Sequence, residues 1–119
     1  NSIVLKKERG VYVTTEGITQ RIIRSIEGAV PTAFERAVIF DDMISTGGTI
    51  LKAYEFLLSK GIKDVSCACI HGLFVQNAVE KLKKAGIKEI VSTNSIENPF
   101  AKVSITPLIE RAAMTFFNL

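Results

Sequence analysis

Arg36-Ala37-Val38-Ile39-Phe40-Asp41-Asp42-Met43-Ile44-Ser45-Thr46-Gly47-Gly48-Thr49-Ile50 decides how the rest of this chain is read. An apolar run leads into two adjacent carboxylates. A short loop rich in hydroxyls and glycine follows, and then a helical pattern opens. A strand ending this way places Asp41 and Asp42 at the carboxyl edge of a sheet, where open α/β folds bind their ligands. The loop Ser45–Thr49 can wrap a phosphate with backbone N–H groups and hydroxyls, and the following helix N-terminus adds positive potential. Two acids beside an anion site do not themselves hold the anion. They suit a Mg²⁺ ion or the hydroxyls of a sugar. The segment therefore specifies a sugar-phosphate site, and an ordinary strand–turn–helix explains so long an ordered match poorly.

Downstream the pattern is regular. Gly48 to Ser59 reads as a helix with Ile50, Leu51, Tyr54, Leu57 and Leu58 on its apolar face and Gly61 beyond its end. Asp64 to Ile70 reads as a strand, Val75 to Ala85 as a helix ended by Gly86, and Lys88 to Ser92 as a strand. Val103 to Ile105 is a further short strand. Thr106 is expected to cap a last helix, with Pro107 in its first turn. Alternating strands and helices imply parallel pairing. The expected class is α/β, with a mainly parallel sheet flanked by helices.

Upstream the reading is weaker. Ser2 to Lys6 is expected as a strand, Lys6 to Gly10 as a charged turn, and Val11 to Thr15 as a β-rich return. Residues 16–27 are ambiguous. Ile18, Ile22, Ile23 and Ile26 fall at helical spacing, yet β-branched residues disfavour a helix. Gly28 to Glu35 is expected as a loop.

The chain has 119 residues, enough for one domain with a real core. Hydrophobic residues make up 47% and charged residues 23%, which excludes disorder as the ground state. The net charge of +3 is spread along the chain. The basic cluster Lys81-Leu82-Lys83-Lys84 is interrupted and fits a solvated helix face, so nucleic acid is not an expected partner. No apolar run approaches the length of a membrane span and no signal-peptide pattern opens the chain, so a cytoplasmic protein without membrane contact is expected. Cys67 and Cys69, two apart on a strand, point to one side and do not suit a disulfide or a zinc site. They read as reduced core thiols. His71 is the sole histidine; it follows a strand end, where a structural role is expected over proton transfer. Thr93 and Asn94 follow another strand end and are expected to shape the pocket wall.

The stretch Asp41–Thr49 resembles the ribose-phosphate loop of the type I phosphoribosyltransferase fold. The likeness widens through His71-Gly72-Leu73-Phe74, Ala78 to Ile90, Ser92-Thr93-Asn94-Ser95-Ile96 and Val103 to Ala112. In this order the segments are similar to the C-terminal half of the ribose-phosphate pyrophosphokinases, and Gly47-Gly48 with His71–Phe74 look closest to archaeal members. The resemblance covers most of residues 1–9 and 36–113, and residues 10–35 fit it poorly. It implies a type I phosphoribosyltransferase-like domain over residues 1–119, as a partial domain forming the C-terminal part of a longer two-domain protein. In that family a Lys-x-Arg motif lies on a catalytic loop, and Lys7-Glu8-Arg9 fits it.

The resemblance implies transfer of pyrophosphate from ATP to ribose 5-phosphate, giving phosphoribosyl pyrophosphate and AMP with Mg²⁺. Asp41 and Asp42 would hold the ribose hydroxyls or the metal. Ser45, Thr46, Gly47, Gly48 and Thr49 would hold the 5-phosphate, and Lys7 and Arg9 would act catalytically. The chain holds the sugar-phosphate half of such a site. It is therefore expected to be inactive alone and to assemble as a homo-oligomer or with a missing N-terminal part. Ser45 stands where many members carry an acid, which lowers negative charge beside the phosphate without removing binding.

Three other readings compete. A phosphoribosyltransferase consuming phosphoribosyl pyrophosphate would share the loop, but not Lys7-Glu8-Arg9 or the Val103–Ala112 tail. A non-catalytic regulatory subunit of the synthetase would not need both cations. A signalling receiver domain needs a phosphoacceptor Asp at the end of the next strand, where this chain has Ile70-His71.

Overall fold

The computed structural model describes residues 6–15, 18–27 and 35–118, the first two segments by their backbone. β1 (Lys6–Thr15) and β2 (Ile18–Glu27) form an antiparallel pair, with register irregularities on either side of Arg9. This corrects one expectation: Lys6 to Gly10 is strand rather than turn, because Lys6, Lys7 and Glu8 pair with Glu27, Ile26 and Ser25. The ambiguous stretch from Ile18 resolves as strand, in keeping with the preference of β-branched residues for a pleated backbone. The strand expected over residues 2–6 and the loop expected over residues 28–35 fall almost wholly outside the described residues.

The main body is a four-stranded parallel sheet in the order β3 (Arg36–Ile44), β4 (Asp64–Gly72), β5 (Ile90–Thr93), β6 (Ala101–Val103). α1 (Gly48–Ser59) joins β3 to β4, α2 (Ala78–Ala85) joins β4 to β5, and α3 (Thr106–Phe117) follows β6. The α/β class and the parallel pairing are as the sequence implies. Spatial order follows chain order. With crossovers of one hand, α1 and α2 then lie on the same face of the sheet.

The core sits under those helices. Val65, Cys67 and Cys69 of β4 meet Ile50, Tyr54 and Leu57 of α1, Leu82 of α2, and Ile87 and Ile90. The alternation that buries Val65, Cys67 and Cys69 turns the even residues of β3 to the other face, where Val38 and Phe40 are 67% and 69% exposed. Both cysteines are free and buried as expected, and burial pushes the Cys67 thiol up to about 12.

Several boundaries shift for identifiable reasons. β3 runs on to Ile44 because β4 runs on to Gly72, and Met43 and Ile44 pair with His71 and Gly72. The two acids thus lie within the last stretch of pairing and not at the strand's final residue. α2 begins at Ala78 rather than Val75, since Phe74, Gln76 and Asn77 adopt positive φ and cannot continue a helix. β6 ends at Val103 because the next residues are drawn into the start of α3. Asn94 Oδ1 accepts from the Ile105 N–H and Ser104 Oγ from the Thr106 N–H. Ile105, not Thr106, is the cap residue, and Pro107 lies in the first turn.

Candidate functional site

Asp41 pairs in register with Cys69 near the carboxyl end of the sheet, and Asp42 is the next residue. Local hydrogen bonds hold the pair. The Asp42 N–H donates to Asp41 Oδ1 at 2.9 Å, and the Met43 N–H donates to Asp42 Oδ1 at 2.7 Å. The carboxyls also interact directly. A hydrogen bond with the Asp41 side chain is the main influence drawing the Asp42 pKa below its ordinary value, helped by the Met43 N–H and by the charge of His71. Two acids this close carry their negative charge most easily when a cation or a set of hydroxyl donors faces them. The arrangement supplies hard oxygen donors for part of a Mg²⁺ shell and leaves other positions to a ligand. Among the described residues no group of three or more His, Cys, Asp or Glu forms a complete metal site.

The loop Ser45–Gly47 is fixed at both ends. Ile44 before it and Ile50 after it are each 1% exposed and lie in the core. Gly47 takes φ +81°, a conformation open to glycine at little cost, and a Cβ there would lie 3.4 Å from Leu82 Cγ. This turn directs the chain into α1. The Leu51 N–H closes on Gly47 O at 2.9 Å. Gly47 has no side chain to cap α1 and the first turn of the helix holds no acid, so the positive end of the helix faces the loop. Gly48 differs from Gly47. A Cβ on it would meet only Thr46 Oγ1, at 3.7 Å, which leaves that side of the loop open to a ligand.

The segment after β4 braces the loop. Leu73 and Phe74 N–H groups donate to Ile44 O at 3.0 and 3.1 Å, and the Val75 N–H donates to Ser45 O at 3.0 Å. These bonds occupy the carbonyls at the loop's entry. Sequence reasoning missed this bracing. Its only sequence trace is His71-Gly72-Leu73-Phe74, whose residue types do not encode backbone hydrogen bonds.

A second cluster lies at the same sheet edge. Thr93 Oγ1 and Ser95 Oγ both donate to Ile70 O, at 2.7 and 2.9 Å, and the Ser95 N–H donates to Thr93 Oγ1 at 3.1 Å. His71 Nδ1 lies 2.8 Å from Ser95 Oγ. Below it, Asn98 ties the β5–β6 connection together. Its amide reaches Ser92 Oγ at 3.0 Å and Ile96 O at 2.9 Å, and its Oδ1 accepts from the Phe100 N–H at 2.8 Å. Thr93 does face this edge, whereas Asn94 spends its side-chain oxygen on the start of α3. Asn98 was not anticipated; a lone Asn before a Pro gives no more signal than a turn.

The structure thus brings Asp41, Asp42, Ser45, Thr46, Gly47, Gly48 and Thr49 onto one strand end, loop and helix start. Lys7 and Arg9 are placed by their backbone on β1, and their side chains lie outside the described residues. A separate open concavity of about 410 Å³ lies along one side of α3, lined by Pro107, Glu110, Arg111, Met114 and Thr115. It is one helix's flank, distant in sequence from the acids and the loop. It lacks the convergent polar groups of a binding site.

Comparison with known proteins bears on the same residues. Residues 18–109 match the family described as the phosphoribosyl synthetase-associated domain, so the likeness takes in β2, which the sequence motifs fit poorly. The ribose-phosphate pyrophosphokinase 2 of Archaeoglobus fulgidus is 41% identical over 103 residues, covering 87% of this chain and 35% of that protein. The ribose-phosphate pyrophosphokinase of Sulfolobus acidocaldarius is 44% identical over 79 residues, covering 66% and 27%. The crystal structure of a phosphoribosylpyrophosphate synthetase from Mycobacterium smegmatis superposes with a TM-score of 0.62 at 32% identity, covering 81% of this chain and 35% of that one. The chain spans about a third of the length of these relatives.

Proposed function

The chain belongs to the phosphoribosyl synthetase-associated domain family, and on that premise we propose that it supplies the ribose-phosphate site of a ribose-phosphate diphosphokinase. The observation that carries this reading is the pair Asp41–Asp42 set directly before an uncapped, glycine-turned helix start. The acids would face hydroxyls and the loop a phosphate, and ribose 5-phosphate carries both, with hydroxyls on C2 and C3 and its phosphate on C5.

In the proposed reaction the anomeric hydroxyl of ribose 5-phosphate attacks the β-phosphorus of ATP. The bond from that phosphorus to the bridging oxygen of the α-phosphate breaks, AMP leaves with that oxygen, and the hydroxyl proton is lost to solvent. Ser45–Thr49 anchor the 5-phosphate, and Asp41 and Asp42 orient the ring through its hydroxyls. Orientation of this kind turns a bimolecular encounter into a near-unimolecular step. Asp41 and Asp42 are also the residues that would hold Mg²⁺, which when bound supplies neutralisation of phosphate charge. Lys7 and Arg9 are assigned to charge developing on the transferred group.

The proposal covers the whole protein of which residues 1–119 form the C-terminal domain. Association with the remaining part or with a second copy belongs to it. The exposed Val38 and Phe40 face and the exposed Leu108, Ile109, Met114, Phe116 and Phe117 of α3 support that association, since apolar surface of this extent marks contact regions. No described helix is long and apolar enough to cross a membrane. A cytoplasmic setting is part of the same reading and is supported by the two free cysteines.

The test is ribose 5-phosphate-dependent release of AMP by the complete protein, comparing wild type with Lys7→Ala. Wild type should release AMP, and Lys7→Ala should lower kcat by roughly a hundredfold, the scale of one lost transition-state donor. A Lys7→Ala protein with unchanged kcat and only a raised KM would contradict the role given to Lys7. Release of AMP that ignores ribose 5-phosphate would contradict the substrate.

A further inference from the structure

His71 stands at the end of β4, in register with Met43 and one position from Asp42. A positive charge on its ring would favour the charged form of Asp42, which places the two groups within electrostatic reach. The hydroxyl cluster around it favours one placement of its proton. The Thr93 and Ser95 hydroxyls both lie within donating distance of Ile70 O, which can only accept. With the single Ser95 hydroxyl hydrogen on Ile70 O, Ser95 Oγ is an acceptor at 2.8 Å from His71 Nδ1, and His71 Nδ1 is the donor. In the neutral ring Nδ1 therefore carries the hydrogen, and Nε2 presents a lone pair. Nε2 has no hydrogen-bond partner among the described residues, and His71 is exposed.

We infer that His71 is a third side chain of the sugar site, held by Ser95 through Nδ1 and accepting a hydroxyl hydrogen of the bound pentose phosphate at Nε2. The inference rests on the ribose-phosphate reading above and deepens it. Asp41 and Asp42 supply charged acceptors on β3, and His71 adds a neutral acceptor on the neighbouring strand. Thr93 and Ser95 act as positioning residues: they touch the ring or its anchor, and they set its tautomer. The purely structural alternative treats the Ser95 bond as the whole purpose of His71. The two differ in Nε2 alone, which the structural role leaves unused.

Because His71 is the sole histidine, its ring nitrogens can be followed by nitrogen-15 NMR of the 119-residue chain without an assignment problem. The expected spectrum at neutral pH shows a protonated Nδ1 and a pyridine-like Nε2. Ribose 5-phosphate should shift Nε2 together with the Gly47 and Gly48 amides. Inorganic phosphate, which fills the loop but brings no sugar hydroxyl, should shift the amides and leave Nε2 in place. If ribose 5-phosphate moves the loop amides and not Nε2, the inference falls and the phosphate site stands. If it moves neither in a folded sample, both fall. A ring protonated at Nε2 in the free chain would also overturn it.

Substitution gives a second readout. His71→Asn keeps an amide donor near the Nδ1 position for Ser95 and has nothing at Nε2. It should fold and bind ribose 5-phosphate about tenfold more weakly, the effect of one hydrogen bond. His71→Gln places an amide oxygen near Nε2 and should recover most of that loss. Equal affinity of wild type and His71→Asn would overturn the inference.

Discussion

Asp42 and the two loop glycines carry the most separable consequences. The Asp41 side chain and the Met43 N–H favour the charged form of Asp42, so its folded pKa lies below the ordinary value of 3.8. A depressed carboxylate stabilises the fold above its unfolded value and loses that contribution as pH falls through the folded one. Thermal unfolding of wild type and Asp42→Asn should therefore differ by a small amount at neutral pH and converge well below pH 3.8. A gap that widens on acidification would contradict the sign. The glycines divide structure from binding. Gly47→Ala forces a Cβ into the left-handed region and should cost roughly 1–2 kcal/mol, read as a lowered Tm. Gly48→Val meets open space on the protein side, so it should keep its Tm within a few degrees and lose ribose 5-phosphate in calorimetry. The acid pair and the loop were legible in the sequence because their residue types are set by chemistry over nine consecutive positions. The tautomer-setting contact of His71 with Ser95 was not, since it joins residues 24 apart and exists only once β4 and β5 pair.

At the scale of elements, the parallel strands and their helices were readable where apolar period and glycine punctuation agreed, as over Gly48–Ser59. Reading failed where a segment's partner sets its state. Ile18–Glu27 carries helical spacing, and pairing with β1 makes it a strand. β3 runs past the acids because the end of pairing with β4, not the appearance of charge, terminates it. α2 was begun three residues early because positive φ at Gln76 and Asn77 has no signal in those side chains beyond the tolerance of Asn. The β5–β6 connection depends on Asn98. Its amide serves Ser92 Oγ, which is 1% exposed as a residue, and its Oδ1 serves the Phe100 N–H. Asn98→Ala leaves both without their side-chain partner and should destabilise the chain by about 1–3 kcal/mol. Denaturant unfolding measures this, and a midpoint equal to wild type would show that water replaces the amide without loss.

At the scale of the whole molecule, one face of the sheet holds the core and the other is open at Val38 and Phe40. That follows from strands laid down in chain order with crossovers of one hand. The site does not depend on the open face. The acids, the loop and the brace from Leu73 to Val75 are joined by bonds within β3, α1 and the segment after β4. The proposed sugar-phosphate site therefore lies wholly within the 119-residue chain. Titration calorimetry of this chain with ribose 5-phosphate in the presence of Mg²⁺ tests that most directly. The predicted result is saturable binding at one site per chain, lost in Asp42→Ala and displaced by excess inorganic phosphate. A folded chain that gives no binding heat and no thermal protection by ribose 5-phosphate would contradict it.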